Sequence, residues 1–139
     1  KKEKVNLFID TSALLAVLDR NDRYHSTAKP RWISLLESED EPVCHNYILV
    51  ETSAVVLRRF GLEALKLFER DIVPVFQVFG VNREIHEAAV GAQLLADRRS
   101  LSLVDCISFE IMRRAGLRTA FTFDRHFAEY GYKITPHNG

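Results

Sequence analysis

Cysteine is scarce in this chain: Cys44 and Cys106 are the only two among 139 residues, and neither belongs to a Cys-x-x-Cys pair. That usage excludes a disulfide-stapled scaffold and leaves two small apolar side chains expected in a reduced core. The five histidines are scattered, with no His-x-x-x-His or mixed Cys/His spacing, which argues against a structural zinc site. No apolar run approaches the ~20 residues that a membrane span requires, and no signal-peptide pattern opens the sequence. A cytoplasmic protein without membrane association is therefore expected. Net charge is also lacking, since 19 Lys and Arg balance 19 Asp and Glu. A protein that grips nucleic acid through bulk charge is basic overall, so composition alone does not point to that partner.

What is present is the composition of an ordinary folded protein. The chain is 47% hydrophobic and 27% charged, near the averages for globular domains. Its length suits one core, and neither an internal repeat nor a low-complexity linker divides it, so one domain over residues 1–139 is expected.

Apolar runs and helical periodicities alternate. Val5 to Ile9 reads as a strand, followed at once by Asp10 and a helix from Ala13 to Leu18. Tyr24 to Ser38 has the spacing of an amphipathic helix. An acidic connection from Glu37 to Glu41 leads to a short strand, Pro42 to Cys44. Asn46 is placed to cap a helix reaching Arg59, and a short helix from Leu62 to Asp71 follows. Val73 to Phe79, rich in β-branched and aromatic residues, predicts a strand. Helices are expected over Asn82–Ala96 and from Ser102 or Val104 to Ala115, the latter closed by Gly116. Thr119 to Phe123 should be a strand ending at Asp124, before a short helix near Arg125–Glu129 and a final strand at Tyr132–Ile134. Strands alternating with helices predict an α/β fold with a mainly parallel central sheet.

Four acids break these patterns. Asp10 and Asp124 each follow an apolar strand, and open α/β sheets bind ligands at the carboxyl ends of their strands. Either aspartate alone is equally explained as a helix N-cap. Glu51 is harder to dismiss, because Ile48, Leu49, Val50, Ala54, Val55, Val56 and Leu57 surround it in sequence. A helix apolar around most of its circumference should be buried, and a carboxylate there costs several kcal/mol unless it is paired or bound to metal. Arg58 or Arg59 is the alternative partner. Asp105 intrudes in the same way on Leu101 to Ile107, where Ser102 can cap its helix. Carboxylates brought together repel one another until a cation neutralises them, and hard oxygen ligands select Mg²⁺ or Mn²⁺.

At these residues the sequence resembles the PIN-domain family, particularly the VapC-like toxin ribonucleases of bacteria and archaea. Phe8-Ile9-Asp10-Thr11-Ser12-Ala13 is similar to the family's first acidic motif, and Tyr47-Ile48-Leu49-Val50-Glu51-Thr52 to its glutamate-bearing helix. Leu101-Ser102-Leu103-Val104-Asp105 resembles the third motif, and Thr122-Phe123-Asp124-Arg125-His126-Phe127 the last. Nearly the whole chain takes part, including the Asp22-x-x-His25 step. The resemblance implies a PIN-like three-layer α/β/α sandwich, Mg²⁺ or Mn²⁺ as cofactor, and endonucleolytic cleavage of RNA. It further implies homodimerisation and, for toxin members, a small antitoxin partner. By position, Asp10, Glu51, Asp105 and Asp124 become the metal-site acids, with Asp10 and Asp105 as direct ligands; Ser12 and Thr122 would lend hydroxyls to the same pocket. His25 and His126 are expected to be packed or surface side chains. Phosphate contacts remain open among Arg20, Arg23, Arg98, Arg99 and Arg125.

Other readings are a solitary PIN-domain RNA-processing nuclease and a PIN-like RNA- or protein-binding module without turnover. Aspartyl-phosphate enzymes fit poorly. The haloacid-dehalogenase pattern wants an aspartate where Ser12 stands, and a receiver domain wants a lysine where the last motif offers Asp124 and Arg125.

Overall fold

Three of the four residues in the first strand, β1 (Asn6–Ile9), are buried, as a strand covered on both faces requires. The computed structural model describes residues 4–136, so the outermost residues of the expected domain lie outside the described region. The other strands are β2 (Glu41–His45), β3 (Gln77–Phe79), β4 (Thr119–Phe121) and β5 (Lys133–Thr135), all parallel, in the order β3-β2-β1-β4-β5.

Each parallel step needs a crossover, and the helices supply it. Helices α1 (Thr11–Leu18) and α2 (His25–Glu37) join β1 to β2. Helices α3 (Asn46–Phe60) and α4 (Leu62–Leu67) join β2 to β3, α5 (Arg83–Ala96) and α6 (Leu103–Ala115) join β3 to β4, and α7 (His126–Glu129) precedes β5. Right-handed crossovers put α1 to α4 on one face and α5 to α7 on the other. The packing agrees: α1 touches α2 and α3, α5 lies along α6, and Phe109 of α6 meets Phe127 of α7 edge to face at 4.9 Å. Phe8, Ile9, Val43, Cys44, Ala120 and Phe121 fill the sheet. Leu14 and Ile48 cover one side of it, and Ile107, Met112 and Phe127 the other.

This is the expected three-layer α/β/α sandwich, and its connectivity fixes where a ligand belongs. The chain steps outward from β1 to β3, then returns to place β4 on the other side of β1. Strand order thus reverses between β1 and β4, and the crevice outside their carboxyl ends is the usual binding position.

Several local expectations need correction. Only Gln77–Phe79 of the predicted Val73–Phe79 strand joins the sheet; Val73–Val75 form a 3₁₀ turn. Pro74 carries no N–H for a ladder and fixes its own φ, so β3 begins only beyond it, at the sheet edge. The helix expected to Asp71 is α-helical only to Leu67 and continues as a π-helical turn over Phe68–Ile72, which buries Phe68. β4 ends at Phe121, so Thr122 and Phe123 separate it from Asp124. His45, not Asn46, caps α3: its Nδ1 accepts the Ile48 N–H at 3.3 Å, while the Asn46 side chain accepts the Val81 N–H at 2.8 Å.

The largest correction concerns Glu51. Its helix buries only the stripe Ile48, Thr52 and Val56, while Val50 is 67% exposed and Leu57 is also open to solvent. Glu51 is half-buried at the edge of that stripe, so the cost of burial inferred from its apolar neighbours does not apply. Of its two proposed alternative partners, Arg58 and Arg59, the second pairs instead with Asp19 at 3.4 Å.

Candidate metal centre

The crevice between β1 and β4 collects the acids. Asp10 leaves β1 in extended conformation and caps α1, its N–H bonded to the Phe121 carbonyl at 3.0 Å. Its side chain is only 4% exposed. Ser12 Oγ donates to Asp10 Oδ2 at 2.7 Å and Thr122 Oγ1 donates to the same oxygen at 3.0 Å. Those hydroxyls accept in turn from the backbone: Ser12 Oγ from the Phe123 N–H at 3.0 Å, and Thr122 Oγ1 from the Asp124 N–H at 2.9 Å. Each hydroxyl therefore spends its one proton on Asp10 and ties the ends of β1 and β4 together. Asp10 Oδ1 is left for the cleft.

Asp105 enters from the opposite layer. Ser102 and Asp105 form a reciprocal capping box: the Asp105 N–H donates to Ser102 Oγ at 3.1 Å, and the Ser102 N–H donates to Asp105 Oδ2 at 3.2 Å. The cap reading of Asp105 is thus correct, and it also fixes the carboxylate against the cleft. Asp124 accepts at Oδ1 from both the backbone N–H of His126 (2.9 Å) and its ring Nδ1 (2.7 Å). That contact assigns the ring proton to Nδ1, leaving Nε2 to accept from Ser100 Oγ at 3.2 Å.

The electrostatics follow from burial and crowding. Desolvation pushes the Asp10 carboxyl up to about 6, opposed by its Ser12 and Thr122 hydrogen bonds and assisted by the nearby Asp124 charge. Desolvation also pushes Asp105 up to about 7, with Asp124 and Asp10 adding repulsion. The cleft encloses about 350 Å³ and is lined by Asp10, Ser12, Glu51, Ser102, Asp105 and Asp124 among others. All four acids expected from sequence therefore face one space. The tightest set is different: Asp105, Asp124 and His126 offer ligand atoms within 4.8 Å of one another, with Asp10 and Glu51 outside it. Asp105 and Asp124 could hold a metal ion through carboxylate oxygens, whereas His126 could join them only by giving up its Nδ1–H bond to Asp124.

His126 departs from expectation, being neither a surface side chain nor simple packing. The signal that could have found it is its place two residues beyond Asp124. His25 is as expected a packed side chain, its Nδ1 bonded to the Ala16 carbonyl at 2.8 Å. A second missed residue is His45, fully buried and held neutral because desolvation lowers its pKa to about 3. Its Nε2–H donates to Ser108 Oγ at 2.9 Å, and Ser108 donates on to the Val104 carbonyl at 2.9 Å. Since its Nδ1 caps α3, one ring links the helix carrying Glu51 to the helix carrying Asp105. The two thiols are inert by comparison, both buried and free; desolvation raises Cys44 to about 12.

A parallel sheet covered on both faces, with aspartates from both helical layers at its switch point, defines an α/β protein with an acidic cleft at the carboxyl ends of its strands. The PIN domain model matches residues 7–133, and the chain belongs to the PIN-domain family. It is 32% identical over 127 residues to the 23S rRNA-specific endonuclease VapC20 of Mycobacterium tuberculosis, covering 91% of this chain and 95% of that one. The crystal structure of that protein, described as a Sarcin-Ricin loop cleaving toxin, superposes with a TM-score of 0.78 at 31% identity, covering 91% of this chain and 95% of that one. A toxin–antitoxin complex from Klebsiella pneumoniae shares the fold at a TM-score of 0.66 and 17% identity, over 94% of this chain and 98% of that one. Among the described residues no helix is long and apolar enough to cross a membrane.

Proposed function

We propose that this protein is a metal-dependent endoribonuclease of the VapC type, the toxin of a toxin–antitoxin pair. One observation carries the reading: Asp10, Asp105 and Asp124 converge at the switch point with two carboxyls pushed toward neutrality by burial and mutual repulsion. Such crowding is relieved by a divalent cation, and the oxygen-rich donor set favours Mg²⁺ or Mn²⁺. Likeness to an rRNA endonuclease over nearly the full length of both chains supports RNA as the substrate and makes large-subunit rRNA the first to test.

Each residue then has a part. Asp10, Asp105 and Asp124 would hold the cation, and Glu51, which lines the same cleft, would complete the acidic set. Ser12 and Thr122 fix the rotamer of Asp10, and His126 orients Asp124 through Nδ1. When bound, a divalent cation supplies charge neutralisation for the phosphoryl oxygens and a water of lowered pKa. The chain's own contribution is to present preorganised carboxylates at one edge of a rigid sheet, so that little reorganisation is required in the transition state.

The test is cleavage of rRNA by the purified protein with Mg²⁺ or Mn²⁺, with excess chelator, and as Asp105→Asn. Loss of cleavage by at least ~100-fold in the last two is expected. Cutting that persists in chelator overturns the mechanism. Binding without turnover by the metal-loaded wild type would favour the module reading instead.

For the antitoxin we assign the apolar cleft of about 680 Å³ lined by Leu18, Val56, Phe60, Leu67 and Phe68, one turn of α3 beyond Glu51. An apolar hollow next to a charged site calls for cover by an amphipathic segment. Co-expression with the product of an adjacent small gene should abolish cleavage, and an unaffected rate refutes the pairing. Homodimerisation is supported by Leu94 and Leu95 on α5, 73% and 86% exposed. Light scattering should give twice the chain mass; a monomer at all concentrations refutes it. A cytoplasmic location follows from this role and is tested by fractionating expressing cells.

A further inference from the structure

Asp124 forms part of two clefts. Beyond the acidic one lies a hollow of about 540 Å³ lined by Arg23, Tyr24, Arg98, Phe123, Arg125 and His126 among others. Three of the five arginines left open by the sequence meet here, from the connections before α2, after α5 and before α7. Arg20 instead lines the apolar cleft, and Arg99 lines neither.

The three cations are not equally free. Arg98 pairs with Glu129 at 3.1 Å. Arg23 and Arg125 are exposed and, among the described residues, form no ion pair, unlike Arg59, Arg70, Arg113 and Arg114. Arg23 is nevertheless held. Tyr24 stacks on Phe123 with centroids 4.4 Å apart and planes 4° from parallel, and the Arg23 guanidinium lies 4.9 Å from the Tyr24 centroid. A cation over a ring face is attracted by its quadrupole, and a long side chain so held loses less freedom on binding. Phe123 immediately precedes Asp124, so the backbone ties the stack to the acid cluster.

Charge gives this arrangement a purpose. The protein has no net charge, and its acidic cleft repels a polyanion. Attraction for a nucleic-acid strand must therefore be local and adjacent to the acids. We propose that this second cleft is a backbone subsite, where Arg23 and Arg125 bind the phosphate of the nucleotide flanking the scissile bond. Tyr24, stacked on Phe123, is the positioning residue for Arg23. The grip is independent of base identity, because phosphate contacts fix register without reading sequence. This inference rests on the nuclease reading and adds the course of the strand across the protein.

The test measures binding of a short fluorescent single-stranded RNA of mixed sequence across a salt series with Mg²⁺, in an Asp105→Asn background that prevents turnover. Cleavage kinetics are measured in parallel with the active chain. Arg23→Ala and Arg125→Ala should each weaken binding several-fold and flatten the slope of log K against log salt by about 0.7. In the active chain each should raise KM with kcat held within about twofold. Tyr24→Phe should keep the parent slope, while Tyr24→Leu should lower it as Arg23→Ala does. Arg99→Ala, an exposed arginine outside both clefts, should leave slope and KM unchanged. The subsite is overturned if the active chain cuts RNA and the two arginine variants match Arg99→Ala, an outcome that leaves the nuclease reading intact. If the active chain neither binds nor cuts RNA, the nuclease reading fails and the subsite falls with it.

Discussion

Replacing Asp10 with asparagine should stabilise the metal-free protein at neutral pH while removing its response to metal. Burial raises the Asp10 carboxyl from 3.8 to about 6, so the folded state holds a proton that the unfolded chain releases. Between those values the folded state carries more protons, and its stability falls as pH rises. Above pH ~6 the whole penalty is in place, and at about 1.4 kcal/mol per pH unit it amounts to about 3 kcal/mol. The recorded side-chain bonds of Asp10 all fall on Oδ2, from Ser12 Oγ, Thr122 Oγ1 and the Ser12 N–H. An asparagine carbonyl oxygen keeps all three and still caps α1, so the charge is removed without dismantling the contacts. Thermal unfolding in chelator at pH 7.5 should then place Asp10→Asn up to ~10 °C above wild type. At pH 4, where the native carboxyl is protonated, the two should melt together. Millimolar Mg²⁺ should raise the wild type by mass action and leave the variant nearly unmoved. A variant that melts at or below wild type in chelator at pH 7.5, or a gap independent of pH, refutes the argument that the acids are strained without a cation.

His45 works in the opposite direction. Its pKa falls from 6.5 to about 3 on folding, so its contribution is complete above pH 6.5 and is lost as pH falls toward 3. His45→Asn keeps the cap on α3 and removes the titration; urea unfolding should show the variant gaining on wild type by about 1.4 kcal/mol per unit as pH drops from 6.5 to 4, and a constant difference counts against a buried neutral imidazole. Thr52 is fully buried with its hydroxyl unpartnered, so the isosteric Thr52→Val should raise the free energy of unfolding, measured by denaturant titration, by about 1 kcal/mol; a loss of stability would point to a partner for that hydroxyl.

The local order of elements was legible along the chain because it depends on near neighbours. Val5 to Ile9 announces a strand by continuous apolarity, and the spacing over Asn82–Ala96 and Ser102–Ala115 announces helices by period. Asp105 was legible as an acid out of keeping with its surroundings and Asp10 only as an acid following an apolar strand, equally explained as a helix cap; both are buried in the fold. Glu51 misled for a physical reason. Sequence neighbours do not say which side of a helix meets the core, and packing of α3 against α1 buried Ile48, Thr52 and Val56 while leaving Val50 and Leu57 in water. Other features depend on partners remote in sequence. Ser12 and Thr122 share Asp10 across 110 and more positions, and His45 reaches Ser108 across 63. The choice of Arg23 and Arg125 from a scattered set arose only when three connections converged beside Asp124. Sequence by itself determined which residues are chemically out of place and on what kind of element each lies. The tertiary structure alone decided which of them meet, because a parallel sheet reverses its strand order at one point and gathers there the ends of segments far apart in the chain.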